Sequence, residues 1–214
     1  MALGQKTLPT RNIQVRKHDL AIALQKIKPH PHPILALEQY TIPADLAAEI
    51  LFTACYVHDD IKNKDVLDLG TGTGRLALGA SILGASYVVG VDIDAASLKL
   101  ASTAERSLRA HVDFILGEIG TLRGTVDTVL MNPPFGTKRP HADMEFLQSA
   151  LRLGNTIYTI HKSSTRKFLE RWLADHELKF QQILATEMII PHQFNFHKKA
   201  RKPVEIDVLR VSRV

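Results

Sequence analysis

The chain holds one cysteine, Cys55, in 214 residues. That scarcity excludes an internal disulfide and any zinc site built from several cysteines of the chain, so no metal is expected and a reducing compartment fits. No apolar run reaches the ~18–20 residues of a membrane span, and the first residues lack the apolar core of a secretory signal. A soluble, cytoplasmic protein with no membrane role is therefore expected. Internal repeats and low-complexity tracts are missing too. Charge of one sign is not strongly in excess, with 27 Lys and Arg against 22 Asp and Glu for a net +5. Such a balance permits a polyanionic partner without requiring one.

The 45% hydrophobic and 23% charged residues are those of an ordinary globular chain and exclude wholesale disorder. The charge is unevenly spread: 6 basic and 2 acidic side chains in residues 1–40, 10 and 14 in 41–160, 11 and 6 in 161–214. Basic flanks around an acidic centre suit a central small-ligand pocket with a polyanion gripped around it.

A short helix is expected over Asp19–Ile27. Pro29, Pro31 and Pro33 then force an extended connector, in which His30 and His32 read as solvated. Pro43 opens a helix over Ala44–Val57. Apolar runs at 66–69, 86–91, 112–116, 126–131, 155–160, 180–190 and 204–211 read as strands, and 74–83, 95–108, 143–152 and 164–176 as helices. This alternation predicts an α/β fold with a doubly wound, mainly parallel sheet of seven strands. With no helix between them, the last two strands should form an antiparallel hairpin at or near one edge. The domain reading is an N-terminal helical extension over 1–60 and a second unit over 61–214.

Asp68-Leu69-Gly70-Thr71-Gly72-Thr73-Gly74 follows a strand and opens a helix. Its glycines permit a tight turn and close approach of a ligand. Alone, the turn is compatible with NAD, another nucleotide or no ligand. Three details narrow it: there is no GxxxxGK[ST] phosphate cradle, the spacing is G-x-G-x-G, and Asp68 can face an ammonium group. Asp92, ending the next strand, can accept hydrogen bonds from two ribose hydroxyls. Glu118 follows the third strand, where an acid could accept an adenine amino group. With these residues the sequence resembles the class I S-adenosylmethionine-dependent methyltransferases over about residues 62–212. The resemblance implies a Rossmann-like methyltransferase fold, S-adenosylmethionine as cofactor, and a pocket lined by Asp68, Gly70, Gly72, Thr73, Asp92, Ile93, Glu118 and Ile119.

Asn132-Pro133-Pro134-Phe135 ends the fourth strand. Two prolines stiffen the loop and remove two N–H donors, leaving carbonyls. An exocyclic amine on an aromatic ring is a poor nucleophile because its lone pair is delocalised. Acceptors from Asn132 and Pro133 would bind its hydrogens and favour tetrahedral nitrogen, while Phe135 stacks on the base. The four residues resemble the NPP[FYW] signature of amino-group methyltransferases, which act on adenine N6, cytosine N4, guanine N2 or protein glutamine.

Leu37-Glu38-Gln39-Tyr40, Met131 to Lys138, Ile160 to Thr165 and Phe196-His197-Lys198-Lys199 are similar to one branch of that family, built around methyltransferase-like protein five and its archaeal relatives. The likeness implies adenine-N6 methylation of structured small-subunit ribosomal RNA, with Gln39 and its neighbours closing over the cofactor. It also implies a small zinc-binding activator protein, held as a heterodimer partner on the sheet edge near Val112–Ile115. Lys138, Lys162, Phe196, His197, Lys198 and Lys199 are the expected RNA contacts, with Ser163 or Ser164 capping a helix. The competing enzyme reading is a glutamine-N5 methyltransferase acting on a release factor, whose relatives more often carry Tyr at position 135 and a dedicated N-terminal domain.

Overall fold

A computed structural model describes residues 14–136, 138–189 and 203–213. Seven strands form one sheet: β1 (Asp65–Leu69), β2 (Tyr87–Asp92), β3 (Asp113–Leu116), β4 (Val126–Met131), β5 (Gly154–Lys162), β6 (Leu178–Ile189) and β7 (Pro203–Arg213). Six α-helices accompany them: α1 (Lys17–Gln25), α2 (Ala44–Tyr56), α3 (Arg75–Ile82), α4 (Ala95–Leu108), α5 (Ala142–Leu153) and α6 (Arg166–Asp175). The strand order is β3-β2-β1-β4-β5-β7-β6. The first five strands run parallel, and β7 lies antiparallel between β5 and β6. The expected fold is the observed one, a mainly parallel Rossmann-like sheet with a C-terminal hairpin.

The central strands are buried on both faces, which is why they read as mostly apolar runs rather than alternations. Val66 to Leu69 and Thr128 to Met131 are all buried. One core layer packs α1, α2 and α3 on the sheet through Leu20, Leu24, Leu51, Ala77 and Leu78. The other packs α5 and α6 through Leu147, Ala150, Leu169 and Leu173. The sequence-based boundary at residues 60 and 61 falls between α2 and β1, and α2 already belongs to the first layer.

β5 starts one residue earlier than the apolar run suggests, because α5 passes into it with no intervening loop. Gly154 allows this junction: a Cβ there would stand 2.5 Å from Val129 Cγ2. Strand order reverses between β1 and β4, and in such sheets the crevice beyond the carboxyl ends of these strands is where ligands bind. The turns after β1, β2 and β4 all open there.

Candidate functional site

A cavity of about 640 Å³ opens at this reversal. Its floor is the glycine turn after β1, where Gly70, Gly72 and Gly74 all have positive φ. Gly70 also has no room for a side chain, since a Cβ would lie 2.8 Å from Phe146 Cε1 of α5. The turn is tied to the acids beside it. Asp68 Oδ2 accepts from Thr71 Oγ1 at 2.7 Å and from the Ala77 amide at 3.0 Å. Burial pushes the Asp68 carboxyl up to about 7, an effect that those two hydrogen bonds oppose and nearby Asp92 reinforces. Asp92 accepts from the Gly72 amide at 2.7 Å and the Asp94 amide at 2.9 Å. Burial raises Asp92 too, against those amides. Asp94, not Asp92, is the N-cap of α4, accepting from Ala96 and Ser97 amides.

The N-terminal segment over residues 28–42 forms the roof. Gln39 Nε2 donates to Asp94 Oδ2 at 2.9 Å, and His30 Nε2 lies 3.4 Å from the same oxygen. Against the upward push of burial, bonds from Gln39 and Ser97 hold the Asp94 carboxyl below the usual carboxylate range. The His30 side chain is only 9% exposed, which corrects its reading as a solvated linker residue; His32 alone remains exposed. The spacing of three prolines gave no sign that the connector folds back onto α4.

Arg75 fastens both ends of this roof. Its guanidinium donates to the Ile27 carbonyl at 2.7 Å and to the Ile42 carbonyl. The side chain is buried, its Nε has no partner, and burial lowers its pKa. The sequence shows Arg75 only as the residue that follows the glycine turn, with no sign of the two carbonyls it meets. A charge at the first helical position after a glycine turn was the signal available.

The wall opposite the glycine turn is the loop after β4. Asn132 Nδ2 donates to the Tyr40 carbonyl at 3.1 Å, which leaves its Oδ1 buried with no hydrogen-bond partner among the described residues. Glu38, in the left-handed region at φ 48, accepts the Lys138 amide through Oε1 at 2.6 Å, and its Oε2 is likewise buried and without a partner among the described residues. Tyr40 and Phe135 lie with ring centroids 6.3 Å apart at 25°. Behind the loop, His161 sits between Thr159 (2.9 Å) and Asp143 (3.6 Å).

Gln39, Asp68, Gly70, Gly72, Thr73, Asp92, Ile93, Glu118 and Ile119 all line the one cavity, together with Asn132 and Pro134. Pro133 and Phe135 flank that lining, with the Phe135 ring stacked on Tyr40, itself a lining residue. Glu118 leads into a short 3₁₀ turn without capping it by its side chain, so the exposed carboxylate is uncommitted. Lys138 is exposed. Lys162 instead holds its ammonium 5.5 Å from the Phe135 ring centroid. Ser163 and Ser164 cap no helix: Ser163 Oγ donates to Asp207, and the 3₁₀ turn they begin has no side-chain cap. Arg139 and Arg152, missed in the sequence, are exposed residues of the cavity lining. Phe196, His197, Lys198 and Lys199 lie outside the described residues.

Comparison with known proteins agrees with this geometry. The family described as methyltransferase small domain matches residues 43–157. An uncharacterised protein of Methanocaldococcus jannaschii is 38% identical over 212 residues, covering 94% of this chain and 95% of its own. The rRNA N(6)-adenosine-methyltransferase METTL5 of Danio rerio is 34% identical over 199 residues, covering 90% of this chain and 96% of its own. A crystal structure from Pyrococcus horikoshii matches with a TM-score of 0.85 at 38% identity, covering 94% of this chain and 100% of that one. Among the described residues no helix is long and apolar enough to cross a membrane.

Proposed function

The chain belongs to the methyltransferase small domain family, and from that premise we propose that it methylates adenine N6 in structured small-subunit ribosomal RNA, using S-adenosylmethionine. The observation that carries the reading is the buried, unpartnered Oδ1 of Asn132. The Tyr40 carbonyl engages the amide nitrogen of Asn132 and so fixes which way that side chain points. Its oxygen is left to accept a hydrogen from an incoming amine.

The residues of the cavity fit the cofactor. Asp92 would hold ribose hydroxyls, Asp68 the ammonium end, and Glu118 with Ile93 and Ile119 the adenine, under the roof bearing Gln39. When bound, S-adenosylmethionine supplies a methyl group activated by a sulfonium. Asn132 Oδ1 and the Pro133 carbonyl would bind the two hydrogens of the target amine. That withdraws its lone pair from the ring and stabilises the positive charge that nitrogen gains as the C–N bond forms. Pro134 stiffens the pair and Phe135 supports the base, which must leave its stack to enter. The amine sheds its proton after transfer, so no strong base is needed beforehand.

An RNA acceptor is supported by the likeness to the Danio rerio enzyme and by the exposed cations Lys138, Arg139 and Arg152 beside the cavity, with Lys162 nearby. A cytoplasmic location is compatible with that substrate. A zinc-binding activator bound as a heterodimer is supported by β3, an edge strand that leaves Ile115 44% and Leu116 60% exposed. An unpaired edge with apolar side chains is a template for strand addition.

Incubating the purified chain with labelled cofactor and small-subunit ribosomal RNA, alone and with a candidate activator, tests both parts. Nucleoside mass spectrometry should find N6-methyladenosine at one site. Label confined to protein would overturn the RNA reading in favour of glutamine methylation. A fully active, monodisperse monomer would remove the activator.

A further inference from the structure

Tyr40 is where the roof and the amine clamp meet. Its carbonyl accepts from Asn132, its amide donates to the Glu38 carbonyl at 2.7 Å, and Glu38 in turn holds the amide of Lys138. The backbone of Tyr40 is thus fixed relative to the atoms expected to bind the target amine. Its ring is half-buried on the cavity wall. Its hydroxyl has no hydrogen-bond partner among the described residues, so polarity does not account for its place.

The Tyr40 and Phe135 rings differ by only 25° in orientation, with centroids 6.3 Å apart. Two rings stacked at this spacing need to part by only about 1 Å to admit one planar guest between them, at ~3.5 Å from each. A base taken out of its helix loses stacking on both sides, and a single phenyl ring replaces only part of that contact. Stacking on an aromatic side chain contributes ~1–3 kcal/mol per base.

We propose that the Tyr40 ring is a second stacking surface for the target base, gripping it together with Phe135 while Asn132 holds its amine. This inference rests on the nucleic-acid reading above. It assigns Tyr40 to the acceptor rather than to the cofactor, and makes its flat face the working feature.

Three variants test it, with cofactor affinity measured by calorimetry and transfer to small-subunit ribosomal RNA measured in parallel. Tyr40→Leu should lower kcat/KM for RNA by about 5- to 150-fold, the range that stacking energy converts to, with the cofactor Kd within threefold of wild type. Tyr40→Phe should recover at least a third of wild-type kcat/KM. Tyr40→Trp should show emission that RNA quenches, a response absent from wild type, whose one tryptophan, Trp172, lies on α6. Turnover of Tyr40→Leu within twofold of wild type, a matching loss of cofactor affinity, or Tyr40→Phe as impaired as Tyr40→Leu would each overturn the assignment. So would unchanged Tyr40→Trp emission, a result that does not depend on the leucine variant folding. If wild type forms no N6-methyladenosine, the functional reading falls, and the Tyr40→Trp response to RNA still decides the role of the ring.

Discussion

The two walls of the cavity handle their polar atoms in opposite ways. On the glycine-turn side, the acids are already engaged: Asp68 by Thr71 and Ala77, Asp92 by Gly72 and Asp94. On the opposite side, Asn132 Oδ1 and Glu38 Oε2 are buried and have no partner among the described residues. Leaving a buried acceptor unsatisfied costs about 1–3 kcal/mol. At Asn132 the chain bears that cost where an amine is expected to arrive. One wall is thus a cradle completed by its own backbone, and the other a clamp completed by its guest, so interactions on the clamp side can strengthen as the reaction proceeds.

The comparison breaks most directly at Asn132. Replacing it with Ala should lower transfer by about 10²–10³-fold, the effect of losing one preorganised group at a developing charge, while the cofactor Kd stays within threefold. Parallel loss of both quantities, read by single-turnover kinetics and calorimetry, would erase the distinction between the walls.

Asp92→Ala should do the converse. Two charge-assisted bonds to ribose hydroxyls suggest a cofactor affinity about 100-fold weaker, with less than tenfold loss of rate at saturating cofactor. A variant impaired in rate alone would move Asp92 to the acceptor side.

The smallest effect is a dependence on pH. Burial raises the Asp68 carboxyl from 3.8 to about 7. In the protein without cofactor, its contribution to stability is full below pH ~4 and is lost as the pH rises through ~7. An ammonium group favours the ionised carboxylate, so cofactor affinity should run the other way and fall by up to tenfold per pH unit below about 7. Asp68→Asn should flatten that profile; a profile unchanged by it would detach Asp68 from the ammonium.

Elements whose cause is local are legible in the amino-acid sequence. The strands β1, β2 and β4 stand out because most of their residues are buried and apolar. The glycine turn and Asn132-Pro133-Pro134-Phe135 are legible because positive φ and missing N–H donors are properties of single residues. Ser163 fails as a cap because Asp207, from a distant strand, offers its hydroxyl a carboxylate. Lys162 lies over Phe135 because adjacent parallel strands end side by side there. Arg75 is marked only by its charge at the first helical position after the glycine turn, and Arg139 and Arg152 carry no local mark of their place in the cavity.

The order of strands and helices, the glycine turn and the double-proline loop are thus written in neighbouring residues, since periodic burial and backbone stiffness act over a few positions. Which segment roofs the cavity is decided only by the folded chain. Gln39 meets Asp94 across 55 positions, Tyr40 meets Asn132 across 92, and Glu38 meets Lys138 across 100. No short-range pattern encodes such contacts. They arise because α1 and α2 bury their apolar sides on the sheet, and the connector between them is carried across the ends of β1 and β4.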